Sequence, residues 1–479
     1  MTTAVNVSAN KKAWASVISE PAKEFPHTPL PTISGKIPQG LRGTLYRNGP
    51  GRLERGGVRM GHWFDGDGAI LAIDFNNSGA NAVYRYVETS GYKEESAADK
   101  LIYANYGMVA PGSLWDKFFK AKGVKNAANT SVLALPDKLL ALWEGGKPYA
   151  LNLKTLDTYG EDDLGGLSDS LPYSAHFKRA ESTGEIYNFG MTPGLNSTLH
   201  IYKSTASGRI VQKAAHNIDG VPIVHDFVLA GQYLIFFISP VRLNLFAAMT
   251  GSKCFSDALE WLPSKGTQIL VIDRQTLKVV SRGEAEPWYQ WHFSNGYVDQ
   301  DGAVIVDIAR YDDFQTNQYL KEVATGETHT PAKSHLSRVS LNPQTGKVNK
   351  IEKILDCQCE FPNVPPEYVG QDSRYTYLST FRPGTDIGTE ILNAIARYDH
   401  HTGALLIADV GENRYPSEPI YVKDSENALQ AWVTTVVYDG KSNASEVWIY
   451  DASRLNEEAV CKLELPGAIP HSFHGTWKS

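Results

Sequence analysis

No stretch of this sequence approaches the roughly 18 consecutive apolar residues that a transmembrane helix requires. The most apolar run, Tyr233 to Ile238, is stopped at once by Ser239, Pro240 and Arg242. The opening residues, MTTAVNVSANKKAWASVISEPAKEF, lack the apolar core of a secretory leader. Cysteine is scarce: four in 479 residues, too few and too irregularly placed for a disulfide framework. Cys357 and Cys359 stand too close together for the CxxC spacing of a metal or redox hook. Positive charge is also short. With 46 Lys and Arg against 53 Asp and Glu, the formal charge is −7, so the general field that draws in nucleic acid is missing. These absences predict a cytoplasmic protein in a reducing compartment, with no nucleic-acid partner.

An apolar share of 42% and a charged share of 21% are those of a chain that buries a sizeable core. Length alone suggests about three domains. A repeat argues otherwise. Helical periodicity is weak, and short β-branched and aromatic runs alternate with Gly, Asn, Asp and Pro. One unit, a strand, a polar turn and a second strand, recurs seven times. It reads LAIDFNNSGANAV from Leu71, ALNLKTLDTYG from Ala150, HIYKSTASGRIV from His200 and LVIDRQTLKVV from Leu270. It returns as RVSLNPQTGKVNKI from Arg338, ARYDHHTGALL from Ala396 and WIYDASRLNEEAV from Trp448. Asp74, Asp273, Asn342, Asp399 and Asp451 stand at equivalent turn entries. A lone hairpin cannot bury its apolar face. The expected fold is therefore all-β, a seven-bladed β-propeller in which the hairpins share one core. Residues 35–479 would form this single domain, and residues 1–34 an N-terminal extension.

Two insertions, about 91–129 and 241–263, lack strand pattern and are expected to form a helical and loop dome over one face. In the first, Leu114, Trp115, Phe118 and Phe119 fall on one helical face ringed by Lys117, Lys120 and Lys122. The second contains Leu245 and Phe246. Such helices either cap the propeller or lie shallowly on an anionic membrane surface, giving peripheral membrane contact.

Thirteen histidines fall into distinct settings. His400 and His401 sit in a turn and are expected to be solvated, and His27, His329 and His335 carry no evident role. Four others lie in apolar segments with a Phe at most two residues away: His176, His225, His292 and His474. Their separations are too large for a local hook such as HExxH. In a propeller, however, the innermost strands converge on one axis, where distant histidines can meet as ligands for iron, copper, zinc or nickel. Each is otherwise an ordinary hydrogen-bonded core histidine. Glu144, Glu360 and Glu418 lie in apolar or tight-turn contexts. They read either as surface-loop residues or as buried carboxylates that hold the far ring nitrogen of a ligating histidine.

Ten motifs carry a resemblance. They are GTLYRNGP at Gly43, WFDGDGAI at Trp63, NAANTSV at Asn126, LLALWEGG at Leu139 and DDLGG at Asp162. VHDF at Val224, WHFSN at Trp291, CEFP at Cys359, SEPI at Ser417 and FHGTW at Phe473 complete the set. In this order they resemble the carotenoid cleavage oxygenases, above all the cyanobacterial apocarotenoid-cleaving members. The resemblance implies Fe(2+) held by His176, His225, His292 and His474. It implies that Glu144, Glu360 and Glu418 orient His225, His292 and His474 in that order, with His176 lacking such a partner. It also implies O₂ as co-substrate and a hydrophobic polyene whose conjugated C=C bond is split into two carbonyls, the 15,15′ bond before the 9,10 bond, with no side-chain nucleophile. A stilbene-cleaving dioxygenase is the alternative within the family, although IYANYGMVAPGSLW from Ile102 departs from that pattern. A zinc hydrolase or a non-catalytic propeller scaffold for protein binding are alternatives outside it.

Overall fold

The computed structural model describes residues 12–111 and 123–479. Seven sheets of four to six strands are arranged as a seven-bladed β-propeller. Each of the seven repeats is the third and fourth strand of one blade. The unit at Leu71 is Asp67–Asn76 with Gly79–Tyr86 in blade one, and the unit at Trp448 is Ala444–Asp451 with Cys461–Glu464 in blade seven. Blade one is closed by the C-terminus, because its innermost strand Gly475–Lys478 pairs with Gly43–Arg52.

The apolar interior is not one core. Among the described residues it is divided among nine clusters, seven of them between adjacent blades. Leu71 and Ile73 pack toward Val447 and Ile449 of blade seven, while Ile70 and Ala72 pack toward Leu139 and Ala141 of blade two. Alternate side chains of one strand thus serve two interfaces. This explains why Tyr233–Ile238 reads as a continuous apolar run: Leu234 and Phe236 face blade three, Ile235 and Phe237 face blade five. A strand buried on both faces has no polar side to reveal its period.

The repeat turn has a defined chemistry. Asp273 Oδ1 accepts the backbone N–H groups of Gln275 and Thr276, and Asn342, Asn152 and Asp399 do the same in their turns. The fifth residue then donates its N–H back to the first carbonyl from a left-handed backbone, as do Leu156, Leu277, Gly346 and Gly403. A leucine there costs about 1 to 2 kcal/mol of strain. Leu156 and Leu277 are both 1% exposed, and burying a leucine contributes about 1.5 to 3 kcal/mol, so packing outweighs strain. Asp74 departs from the expected role. Its carboxylate accepts from Thr44 and Asn76, and Asn76 caps the turn instead. The two glycines yield a prediction. A Cβ on Gly403 meets nothing, whereas one on Gly346 falls 2.7 Å from the backbone of Arg282 and Gly283. Gly403→Ala should cost about 1 to 2 kcal/mol, and Gly346→Ala about 2 to 4 kcal/mol, in denaturant titrations.

Residues set apart as an extension enter the sheets. Phe25–Pro29 is the outer strand of blade one, and Thr32–Gly35 that of blade seven. Their prolines and short runs hid them, since edge strands need few ladder bonds. Above one face lie the helices Ser90–Ala98, Leu245–Met249 and Gln315–Val323, the last outside the expected insertions, with the 3₁₀ turn Ala13–Ile18. Among the described residues no helix is long and apolar enough to cross a membrane. Leu114, Trp115, Phe118 and Phe119 lie outside the described residues.

Candidate metal centre

All seven blades contribute a residue to one point on the axis. His474, His176 and His225 stand just ahead of the innermost strands Gly475–Lys478, Lys178–Ala180 and Val228–Ala230 of blades one, three and four. His292 lies within Tyr289–Val298 of blade five, at a register shift that turns its side chain inward. Only His292 is therefore inside a strand. Glu144 comes from the turn after Leu139–Leu142 of blade two, Glu360 from Cys359–Asn363 of blade six, and Glu418 from the corner between Arg414–Pro416 and Ile420–Lys423 of blade seven.

The four imidazoles converge through Nε2. The separations are 3.0 Å between His176 and His225, 3.3 Å between His225 and His292, and 3.1 Å between His292 and His474. All four ligand atoms lie within 4.8 Å of one another. The carboxylates fix the tautomers. Glu360 Oε2 is 2.5 Å from His292 Nδ1, Glu418 Oε1 is 3.1 Å from His474 Nδ1, and Glu144 Oε1 touches His225 Nδ1. A carboxylate accepts, so each Nδ1 carries the proton and each Nε2 presents a lone pair. Several lone pairs facing one point repel unless a cation shares them. Bonds of about 2.1 Å at right angles separate nitrogens by about 3 Å, whereas a tetrahedron separates them by about 3.4 Å. Edges of 3.0 to 3.3 Å lie between these two values, so all four nitrogens could hold a single ion. The donor set fits a borderline divalent metal such as iron.

Burial favours a neutral ring at two of the four, while at His225 it is outweighed by the Glu144 carboxylate, which raises that histidine. Burial, with the neighbouring imidazoles, holds His176 and His292 well below the usual histidine range. Burial pushes Glu360 up to about 7, against N–H and O–H donation from Phe361 and Tyr311. Burial would raise Glu418 too, but His474, Arg47 and the Gly475 N–H outweigh it and leave it lowered.

His176 has no hydrogen-bonded carboxylate. Asp226 Oδ1 is 3.9 Å from its Nδ1 and is tied up by Lys178 Nζ at 2.9 Å. Asp226, Lys178, Tyr311 and Arg47 were not singled out in the sequence, although Asp226 and Arg47 lie inside the motifs VHDF and GTLYRNGP. Their polar character alone did not reveal burial. His400 corrects an expectation. It is not solvated: its side chain is 6% exposed, with Nδ1 accepting from Arg338 and Nε2 bonded to Thr376.

The cluster forms a partition. On the dome side lies a cavity of about 470 Å³ with His225, His292, His474 and Glu144 in its wall, surrounded by Trp63, Phe64, Phe189, Trp291, Phe473 and Ile391. On the other side a second cavity of about 730 Å³ reaches His176, His292 and His474 among Lys178, Asp226 and Ser294. The first is lined mainly by apolar surface, the second by polar and apolar surface in about equal measure. At the mouth of the first, Val124 is 58% and Phe255 38% exposed. The helix Leu245–Met249, in the same insertion as Phe255, leaves Phe246 79% and Met249 80% exposed, with Leu245 half-buried.

Known proteins match along nearly the whole chain. The profile of the retinal pigment epithelial membrane protein family matches residues 18–479. The chain is 31% identical over 455 residues to apocarotenoid-15,15′-oxygenase of Synechocystis sp., covering 93% of this chain and 92% of that one. It is 27% identical over 472 residues to resveratrol cleavage oxygenase 1 of Aspergillus fumigatus, covering 93% and 91%. The cobalt-substituted Synechocystis apocarotenoid oxygenase superposes with a TM-score of 0.88 at 29% identity over 98% of both chains. The chain belongs to the retinal pigment epithelial membrane protein family, that of the carotenoid oxygenases, and is an oxygenase.

Proposed function

We propose that the chain is a non-haem Fe(2+)-dependent dioxygenase that splits a conjugated C=C bond of an apocarotenoid into two carbonyl products, at the 15,15′ bond rather than the 9,10 bond. One observation carries the reading: four histidine nitrogens converge on one point, and three of them, each with its tautomer fixed by a glutamate, stand in the wall of an apolar cavity. A relative named for apocarotenoid 15,15′ oxygenation, and a cobalt-substituted structure of a Synechocystis relative, support it. His176, His225, His292 and His474 hold the metal. Being neutral, they leave its charge uncancelled except by the outer glutamates. Bound iron supplies the activation of O₂ toward an electron-rich polyene. The aromatic walls from Trp63, Phe64, Trp291 and Phe473 orient that polyene and keep bulk water from the reacting bond. No side chain acts as a nucleophile.

Metal analysis and product mass spectrometry test this. One iron per chain is expected, with O₂-dependent conversion of a β-apocarotenal to two carbonyls and no conversion of β-carotene or a stilbene at comparable rate. Activity without oxygen, or protein that binds no stoichiometric iron, would sink the proposal. Preferred turnover of the stilbene would instead point to the chemistry named for the Aspergillus relative.

A polyene reaches such an enzyme from a lipid phase, and the exposed Phe246 and Met249 give a cytoplasmic protein a shallow membrane contact beside the cavity mouth. Replacing both with Ser should lower co-sedimentation with anionic liposomes several-fold at unchanged iron content. Unaltered partitioning would count against the contact.

A further inference from the structure

The end of the apolar cavity opposite Val124 and Phe255 lies against blade seven, and it is closed by the chain's own N-terminal turn. Trp14 in Ala13–Ile18 is fully buried and packs in one cluster with Tyr319, Ile391, Tyr415, Tyr438 and Phe473, all of which line the cavity. Most of the surface at this end is carbon, and the polar groups of Ser417, Glu418 and Ser472 are already hydrogen-bonded. His471 differs. Its ring lines the cavity between the edges of Tyr415 and Tyr438, at centroid separations of 5.7 and 5.5 Å.

The state of that ring follows from its contacts. His471 Nε2 lies 2.9 Å from the carbonyl oxygen of Trp14, which can only accept, so Nε2 carries the proton. Burial lowers its pKa to about 4, so the ring is neutral at physiological pH. Nδ1 is therefore a lone-pair acceptor. Among the described residues nothing donates to it, and it is not sealed off by protein atoms. The neighbouring hydroxyls are committed elsewhere, Tyr415 to Glu390 at 3.0 Å and Tyr438 to Asn443 at 2.9 Å. An acceptor left bare in an apolar pocket is costly, and a ligand that brings a donor there gains by the same margin.

We infer that His471 is a specificity-determining residue whose Nδ1 accepts a hydrogen bond from a hydroxyl at one end of the polyene. That end is seated beneath the N-terminal turn, and the other end points toward Val124 and Phe255. The inference rests on the polyene-cleaving reading and sharpens it: the preferred substrate class is a linear polyene bearing a terminal hydroxyl. Trp14 acts through His471, because its carbonyl selects the tautomer that leaves Nδ1 free.

The test uses two apocarotenals that differ only in a hydroxyl on the terminal ring, with iron-loaded full-length protein. Binding is followed by quenching of tryptophan fluorescence and turnover by kcat and KM. In the wild type the hydroxylated compound should bind and turn over with a KM about tenfold lower, at similar kcat. His471→Leu should erase that preference, lowering the affinity for the hydroxylated compound to that for the unhydroxylated one; it also removes the N–H donated to the Trp14 carbonyl, a loss that the thermal midpoint reads separately. His471→Gln, whose amide both donates to the Trp14 carbonyl and accepts, should retain most of it. Iron content and thermal midpoint of both variants control for misfolding. An equal preference in wild type and His471→Leu, or no preference in the wild type, overturns the inference while leaving the cleavage reading standing. Failure of the wild type to bind or cleave either polyene overturns the cleavage reading and the inference with it.

Discussion

Deletion of residues 474–479 is expected to abolish metal binding and to destabilise the whole ring. The sequence alone suggests a milder outcome, because His474 stands five residues from Ser479 and is the one expected ligand removed. The structure shows why the fold suffers too. Gly475–Lys478 is the innermost strand of blade one, with Leu45 opposite Trp477 and Arg47 opposite Gly475. Trp477 packs on Phe75 at 5.7 Å, and Lys478 Nζ reaches the carbonyl of Leu135 in blade two at 2.8 Å. Losing a half-buried tryptophan together with the ladder bonds of a whole strand costs about 3 kcal/mol or more. His474→Ala separates the two effects. It should lose the metal yet keep a thermal midpoint close to that of metal-free wild type, whereas the truncation should fall well below both. A truncated protein that still holds one metal per chain would remove His474 from the site.

His292→Ala carries the second large effect. His292 is the central member of the cluster, 3.3 Å from His225 and 3.1 Å from His474. Without it the others no longer surround a common point, and Glu360 is left buried with its Oε2 facing an empty volume. Metal content should fall below about a tenth of wild type and turnover by a factor of about a thousand or more. Glu360→Gln is the informative companion. It preserves His292 but replaces the charged acceptor of its Nδ1–H with a neutral amide oxygen, and a loss of about 10- to 100-fold is expected. Metal quantification with oxygen-consumption rates checks both. Wild-type metal content in His292→Ala would mean that three histidines suffice.

The blade count was legible because one turn recurs. An Asp or Asn that caps its own backbone leaves a local mark, and Asp273, Asn342 and Asp399 carry it. Blade one hid the mark because Thr44 competes for Asp74, a cross-strand contact that no local pattern contains. The four histidines and three glutamates were legible only through motifs held in register, since nothing local distinguishes His225 from any core histidine. The pairing of Asp226 with Lys178 rather than with His176 depends on ångström-scale placement across two blades. His400 was misread because a turn was equated with solvent, whereas Asp307 and Arg338 of the next blade close over it.

Blade one is assembled from strands far apart in the chain, so sealing the ring and delivering His474 to its neighbours are one event. Whatever parts Gly475–Lys478 from Gly43–Arg52 withdraws one of the four imidazoles at the same moment. The seam of the ring is thus also the latch of the metal site.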